Sequence, residues 1–139
     1  MFIRVDVVAA IIRRNGRILI TQRRDNVHLA GMWEFPGGKV EAGESLAAAL
    51  QREISEELGM RVRVENEFLS IDHDYPGKSV RLHFFNCTII EGEAQPLGVA
   101  DLRWVEPSDL DKFQFPAADR ELITKLRARQ GRLKRPKSQ

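Results

Sequence analysis

The chain has 139 residues, 42% of them hydrophobic and 30% charged, which suits one soluble globular domain with its own core and excludes a chain disordered throughout. No apolar run approaches the roughly 20 residues of a membrane span, the opening Met-Phe-Ile-Arg-Val-Asp has the shape of neither a signal nor a transit peptide, and the single cysteine excludes an internal disulfide, so a cytoplasmic protein is expected. The formal net charge of +2 conceals an asymmetry, because residues 125–139 carry seven lysines and arginines and no acid, leaving the rest of the chain net acidic.

Residues 3–12 and 17–22 are rich in β-branched side chains, and Arg13-Arg14-Asn15-Gly16 between them is a hairpin turn signal, so the two runs are predicted to pair. A helix of about four turns is predicted between Ser45, a good N-cap, and Gly59, suited to the left-handed position that closes a helix. Leu46, Leu50, Ile54 and Leu58 recur every fourth residue along it and form the stripe that packs on a core. Val62 and Val64 alternate with arginines, residues 68–71 make a further apolar stretch, and residues 80–90 read as one long strand. In that strand the apolar positions run Val80, Leu82, Phe84 and then shift to Phe85, Cys87, Ile89, which calls for a bulge or for burial on both faces. Cys87 in this setting reads as a small core residue rather than a nucleophile.

Residues 92–100 read as a loop and 102–105 as a short strand, Pro107-Ser108-Asp109-Leu110 opens a helical turn, and 117–130 form a last helix with Leu122, Ile123 and Leu126 on its apolar side. No internal repeat or long linker divides the chain. Strands gathered between two helices predict a layered α/β domain with one helix on each face of the sheet. The basic end is either a nucleic-acid contact or, on the plainer reading, a solvated helix end with a frayed tail.

The chemistry concentrates in the first helix. At about 100° per residue, Glu53, Glu56 and Glu57 share one helical sector beside the apolar stripe, where like charges three and four residues apart are mutually destabilising. A hard divalent cation removes that conflict, since such ions take oxygen ligands from a few carboxylates together with waters and substrate phosphates. Arg52, four residues before Glu56, can tie down the edge of the cluster. A Glu-rich helix beside an arginine is also an ordinary solvated face, and the flanking residues decide between the two readings.

Gly38, five residues to Glu44, seven more to Arg52-Glu53, then Ile54, Glu56-Glu57, Gly59 and Met60 resemble the Nudix box at every defining position. Beyond the box, Leu19-Ile-Thr-Gln-Arg-Arg, His28, Trp33-Glu-Phe-Pro-Gly-Gly-Lys, Tyr75-Pro76, Gly92-Glu93, Trp104 and Phe115-Pro-Ala-Ala-Asp are similar in order and spacing to the MutT-like subgroup, over about 7–126. The resemblance implies the Nudix α/β/α sandwich, a mixed sheet between the box helix and a C-terminal helix. Its domain would span 1–130, with 131–139 as a basic, flexible tail. It implies Mg²⁺, or Mn²⁺ in its place, held by the Gly37 carbonyl and by Glu56 and Glu57. Glu53 becomes a general base or a further ligand, Arg52 its orienter, and Gly38 and Glu44 brace the loop. Arg23, His28, Glu34, Lys78 and Asp119 are the implied contacts of a small-molecule nucleotide substrate. No membrane and no stable nucleic-acid partner are implied, and the protein would be a monomer or a homodimer.

A triphosphate repels an attacking water, so cations must neutralise its oxygens and a carboxylate must take the proton. The expected reaction is conversion of a nucleoside triphosphate, an oxidised one such as 8-oxo-dGTP, to the monophosphate and pyrophosphate, a nucleotide-sanitising task in DNA repair. Pyrophosphohydrolysis of CTP, dCTP or 5-methyl-dCTP is the enzymatic alternative, and a catalytically silent Nudix fold that binds nucleotides is the non-enzymatic one. Two positions depart from the MutT pattern. Asp119 stands where MutT has asparagine; an ionised aspartate only accepts hydrogen bonds and so favours a base edge rich in donors. Gly98 stands where MutT relatives have a glutamate, and Asp101 is the nearby acid that could replace it.

Overall fold

The computed structural model describes residues 3–25 and 27–134. The sheet is organised on β1 (Ile3–Arg14), which pairs in parallel with β6 (Lys78–Glu91) over residues 3–12 and antiparallel with β4 (Gly37–Lys39) over residues 7–9, and whose far end turns back into β2 (Arg17–Gln22). Asn15 and Gly16 take the turn with φ of 53° and 78°, both in the left-handed region that an Asn-Gly hairpin turn requires. β2 pairs on its other side with β3 (Trp33–Glu34) and with β7 (Asp101–Val105), and β5 (Arg61–Tyr75) closes the opposite edge against β6. The central order is β3-β2-β1-β6-β5, a mixed sheet as expected.

Alternation along β1 divides the core. Val8, Ala10 and Ile12 face α1 (Leu46–Leu58), packing with Ala49, Leu50, Ile54 and Leu58, while Ala9 and Ile11 face the other way onto Leu122 and Leu126 of α2 (Arg120–Lys134). The first helix starts and stops where the sequence predicts: Ser45 Oγ accepts from the Ala48 N–H at 3.0 Å, and Gly59 at φ 69° donates its N–H to the Ser55 carbonyl.

Three boundaries differ from expectation for physical reasons. The runs at 62–64 and 68–71 are one strand, β5, interrupted by register shifts between Val64 and Glu67 and between Glu67 and Leu69. β6 itself keeps an unbroken register with β1 from Lys78 to Cys87, so its apparent slip is burial on both faces: Leu82 and Phe84 join the α2 core, Phe85, Cys87 and Ile89 the α1 core. Burial pushes the Cys87 thiol up to about 12, which keeps it a protonated core residue. The last helix is preceded by a 3₁₀ turn at Ala117–Asp119, begins at Arg120 and runs to Lys134, so the segment expected as a tail from 131 is helical to 134, and 135–139 lie outside the described residues.

Candidate active site

A cavity of about 650 Å³ opens where β1, β4, α1, the β2–β3 loop, the β5–β6 turn and the start of α2 meet. Its acidic end is built by the glycine pair of β4. Gly37 pairs with Ala9 and Gly38 with Val8, and a Cβ on Gly37 would collide with the Val8 carbonyl oxygen. A Cβ on Gly38 would land on the Glu53 carboxylate, so only glycine lets α1 bring that carboxylate against the strand.

Arg52 fixes this end from beneath. Its Nε donates to Glu44 Oε2 at 2.7 Å and one Nη to Glu44 Oε1 at 3.0 Å, a bidentate pair, while the other Nη reaches Glu53 Oε2 at 2.9 Å and Glu56 Oε1 at 3.4 Å. The Lys39 carbonyl accepts a further bond at 3.1 Å, tying the β4 loop to the same guanidinium. Glu44 also accepts from the Glu41 N–H, and with Arg52 this holds its carboxyl down at about 2. Glu44 thus links the Arg52 guanidinium to the Glu41 backbone at the entry to α1.

Glu53 and Glu57 line the cavity. Burial raises the Glu53 pKa against the opposing pull of Arg52. Burial, then the neighbouring charges of Glu53 and Glu34, push Glu57 up to about 8, and its Oε1 is buried with no hydrogen-bond partner. Glu56 is different: its side chain is 62% exposed and lies at the rim beside Arg52, not on the cavity wall. Among the described residues no three of His, Cys, Asp and Glu converge as a preformed cage. The donors present are carboxylate and carbonyl oxygens, one of them orphaned, so the site suits a hard cation whose remaining ligands come from water and phosphate.

Asp119 is 7% exposed and lines the same cavity, without a hydrogen bond or ion pair from its side chain among the described residues. Burial first and the Glu34 charge second push it up to about 7, so near neutrality it is divided between carboxylate and carboxylic acid. The acceptor-only behaviour inferred from its residue type is therefore incomplete; the neutral form also donates. Lys78 lines the mouth, its Nζ 5.8 Å from the Tyr75 ring centre. Arg23 lines it too, but its Nε donates to the His28 carbonyl at 2.6 Å and an Nη to Glu34 at 2.9 Å, so it holds the β2–β3 loop and Glu34 together. Burial raises the Glu34 pKa, with Arg23 opposing.

The NUDIX domain family model matches residues 7–125. The chain belongs to the Nudix family. It is a Nudix hydrolase, and its relatives carry enzymatic names. It is 38% identical to the CTP pyrophosphohydrolase of Escherichia coli over 86% of this chain and 88% of that one. It is also 38% identical to the 8-oxo-dGTP diphosphatase of Haemophilus influenzae, over 88% of this chain and 90% of the relative. The solution structure of the E. coli ORF135 protein superposes with a TM-score of 0.80 at 34% identity, covering 99% of this chain and 96% of the other.

Within this Nudix site the two departures resolve differently. Gly98 lies against the box helix: its N–H donates to the Glu57 carbonyl at 3.0 Å, and a Cβ there would meet Glu57 Cα at 3.2 Å. Asp101 is in β7 and off the cavity wall, with Oδ1 accepting from the Leu102 N–H at 2.8 Å and Oδ2 3.6 Å from Arg103. What residue-by-residue reasoning missed is the apolar part of the cavity lining, Phe35, Leu82, Phe84 and Pro116. The even-numbered positions of β6 carried that signal, since Val80, Leu82 and Phe84 share one face of the strand.

Proposed function

We propose that this Nudix hydrolase is a nucleoside triphosphate pyrophosphohydrolase that sanitises oxidised nucleotides, with an 8-oxopurine triphosphate such as 8-oxo-dGTP as its preferred substrate class. The observation that carries the reading is the lining of one cavity, which combines the Glu53 and Glu57 carboxylates and Gly37, the apolar Phe35, Leu82, Phe84 and Pro116, and the buried Asp119 carboxyl. Such a lining offers oxygen ligands for a cation-bound triphosphate together with apolar surface and one polar group for a base.

Glu57, Glu56 and the Gly37 carbonyl would hold Mg²⁺, with Mn²⁺ able to replace it. When bound, the cation neutralises phosphate oxygens and lowers the pKa of the attacking water. Glu53, held in one orientation by Arg52, accepts the proton as water oxygen bonds to phosphorus and the phosphoanhydride bond breaks, pyrophosphate leaving with that electron pair. Arg52 cannot release a proton in any useful range, so it acts as a fixed positive support, and Glu44 anchors it. Lys78 contacts substrate oxygens at the mouth. Asp119 reads the base edge: as a carboxylate it accepts from guanine N1–H and N2–H, and as a neutral acid it also donates to a carbonyl.

A cytosine nucleotide is the second reading, favoured by Asp119 itself, whose carboxylate pairs with the cytosine amino group, and by similarity to the E. coli CTP pyrophosphohydrolase. Pyrophosphate release measured with Mg²⁺ across standard, oxidised and 5-methylated (d)NTPs separates them. An 8-oxo-dGTP kcat/KM at least about tenfold above that for CTP and dCTP is expected, and the reverse order would replace the first reading with the second.

A further inference from the structure

We propose that the surface formed by Arg13, Lys125 and Arg129 around Phe68 is a docking site for nucleic acid, held through its phosphodiester backbone without reading sequence. Two cations share one ring: Lys125 Nζ lies 5.1 Å and Arg129 Cζ 5.6 Å from the Phe68 ring centre, and Lys125 also donates to the Phe68 carbonyl at 3.5 Å. Arg13 lies near the C-terminal end of strand β1, its Nη1 donating to Asn86 Oδ1 at 2.7 Å, and Asn86 in turn donates to Asn66 at 3.4 Å. Burial lowers the Arg13 pKa and the nearby Arg129 charge adds to it, which places the two cations within electrostatic reach of each other.

Among the described residues none of these three cations is paired with a carboxylate, whereas Arg14, Arg52, Arg61, Arg63, Arg81 and Arg127 all are. Half of the arginines pair with a local acid, whereas this cluster has no such pair among the described residues, and a polyanion is the complement that removes the repulsion. The sequence extends the same charge, with seven basic residues and no acid from 125 to 139. A lipid surface fits less well, because a membrane-lying helix exposes apolar anchors, and in α2 Leu122 and Leu126 are buried, 0% and 2% exposed. Ten residues of helix separate Arg129 from Asp119, about 15 Å, so docking leaves the cavity open.

The test is fluorescence anisotropy of a labelled single-stranded DNA oligonucleotide across a salt series, using the full chain and a triple variant, Arg13→Gln, Lys125→Gln, Arg129→Gln. The parent is expected to bind at low salt, and the variant at least about tenfold more weakly at 50 mM salt, with a log-log salt slope smaller by about 2 for three lost phosphate contacts at about 0.7 each. Pyrophosphate release from free nucleotide should be unchanged in the variant, which shows that its fold and cavity are intact. The proposal is overturned if the parent fails to bind at low salt, if the variant binds equally well, or if phosphatidylserine vesicles are bound and the oligonucleotide is not.

Discussion

The Arg52 guanidinium stands 2.9 Å from Glu53 Oε2 and is itself gripped at two points by Glu44, so the carboxylate nearest the glycine strand is positioned by a residue adjacent to it in sequence. That arrangement orients the acceptor, and the positive charge of the guanidinium opposes the burial that raises the Glu53 pKa.

Removing the acceptor while keeping its shape should therefore separate chemistry from folding. Glu53→Gln is expected to lower kcat by at least about two orders of magnitude while the cation-free variant melts no lower than the parent. Turnover within a factor of a few of the parent, measured by pyrophosphate release, would remove Glu53 from the proposed mechanism.

Glu57 gives a stability dependence with a definite sign. Its folded pKa of about 8 lies above the ordinary 4.5, so the cation-free protein has its full stability below about pH 4.5 from this group and loses it as pH rises through 8. Melting curves in EDTA should show the parent falling, relative to Glu57→Gln, by several degrees between pH 5 and 9, and excess Mg²⁺ should cancel the difference. Parallel curves for the two proteins would mean that Glu57 is not strained by burial.

Gly98 and Asp101 are expected to behave in opposite ways. Gly98→Ala puts a methyl 3.2 Å from Glu57 Cα, where the box helix must yield by a few tenths of an ångström, so kcat should fall several-fold with little change in KM. Asp101→Asn, whose carboxylate is engaged within β7, should leave the Mg²⁺ concentration for half-maximal activity unchanged. A raised Mg²⁺ requirement in Asp101→Asn would return that residue to the site.

Asp119→Ala should depress kcat/KM for the best substrate far more than for poor ones, flattening the profile across bases, because an unpaired polar edge is penalised only when the right base is present. Asp119→Asn, neutral at every pH, should remove the part of the pH profile that titrates near 7. An equal loss on all substrates would make Asp119 a structural residue.

The acid end was legible in the sequence because its parts are close in the chain: Gly38, Glu44, Arg52, Glu53 and Glu57 lie on one strand, one loop and one helix, where spacing fixes geometry. The α/β layering was legible for the same reason, from the stripe on α1 and the paired runs of β1 and β2. Less accessible were effects that need distant segments. The rim position of Glu56, the capture of Arg23 by His28 and Glu34, and the raised pKa of Asp119 all depend on what covers a residue, which no local pattern records. The shift of apolar positions in β6 left a bulge and two-sided burial equally open, because both leave the same trace in a list of apolar positions, and only the pairing with β1 decides for burial.

The parallel pairing of β1 with β6 has a kinetic consequence. Val5 pairs with Val80 and Ala9 with Phe84, all four on the cavity wall, so every pairing joins residues 75 apart in the chain. Such non-local contacts form late, after a large loop has closed, and cannot form within an N-terminal fragment. The β1–β6 wall of the chamber therefore cannot exist in a chain that has not yet reached β6, and a nucleotide that occupies it should slow amide exchange throughout β1 and β6 together rather than at the loops that touch the ligand.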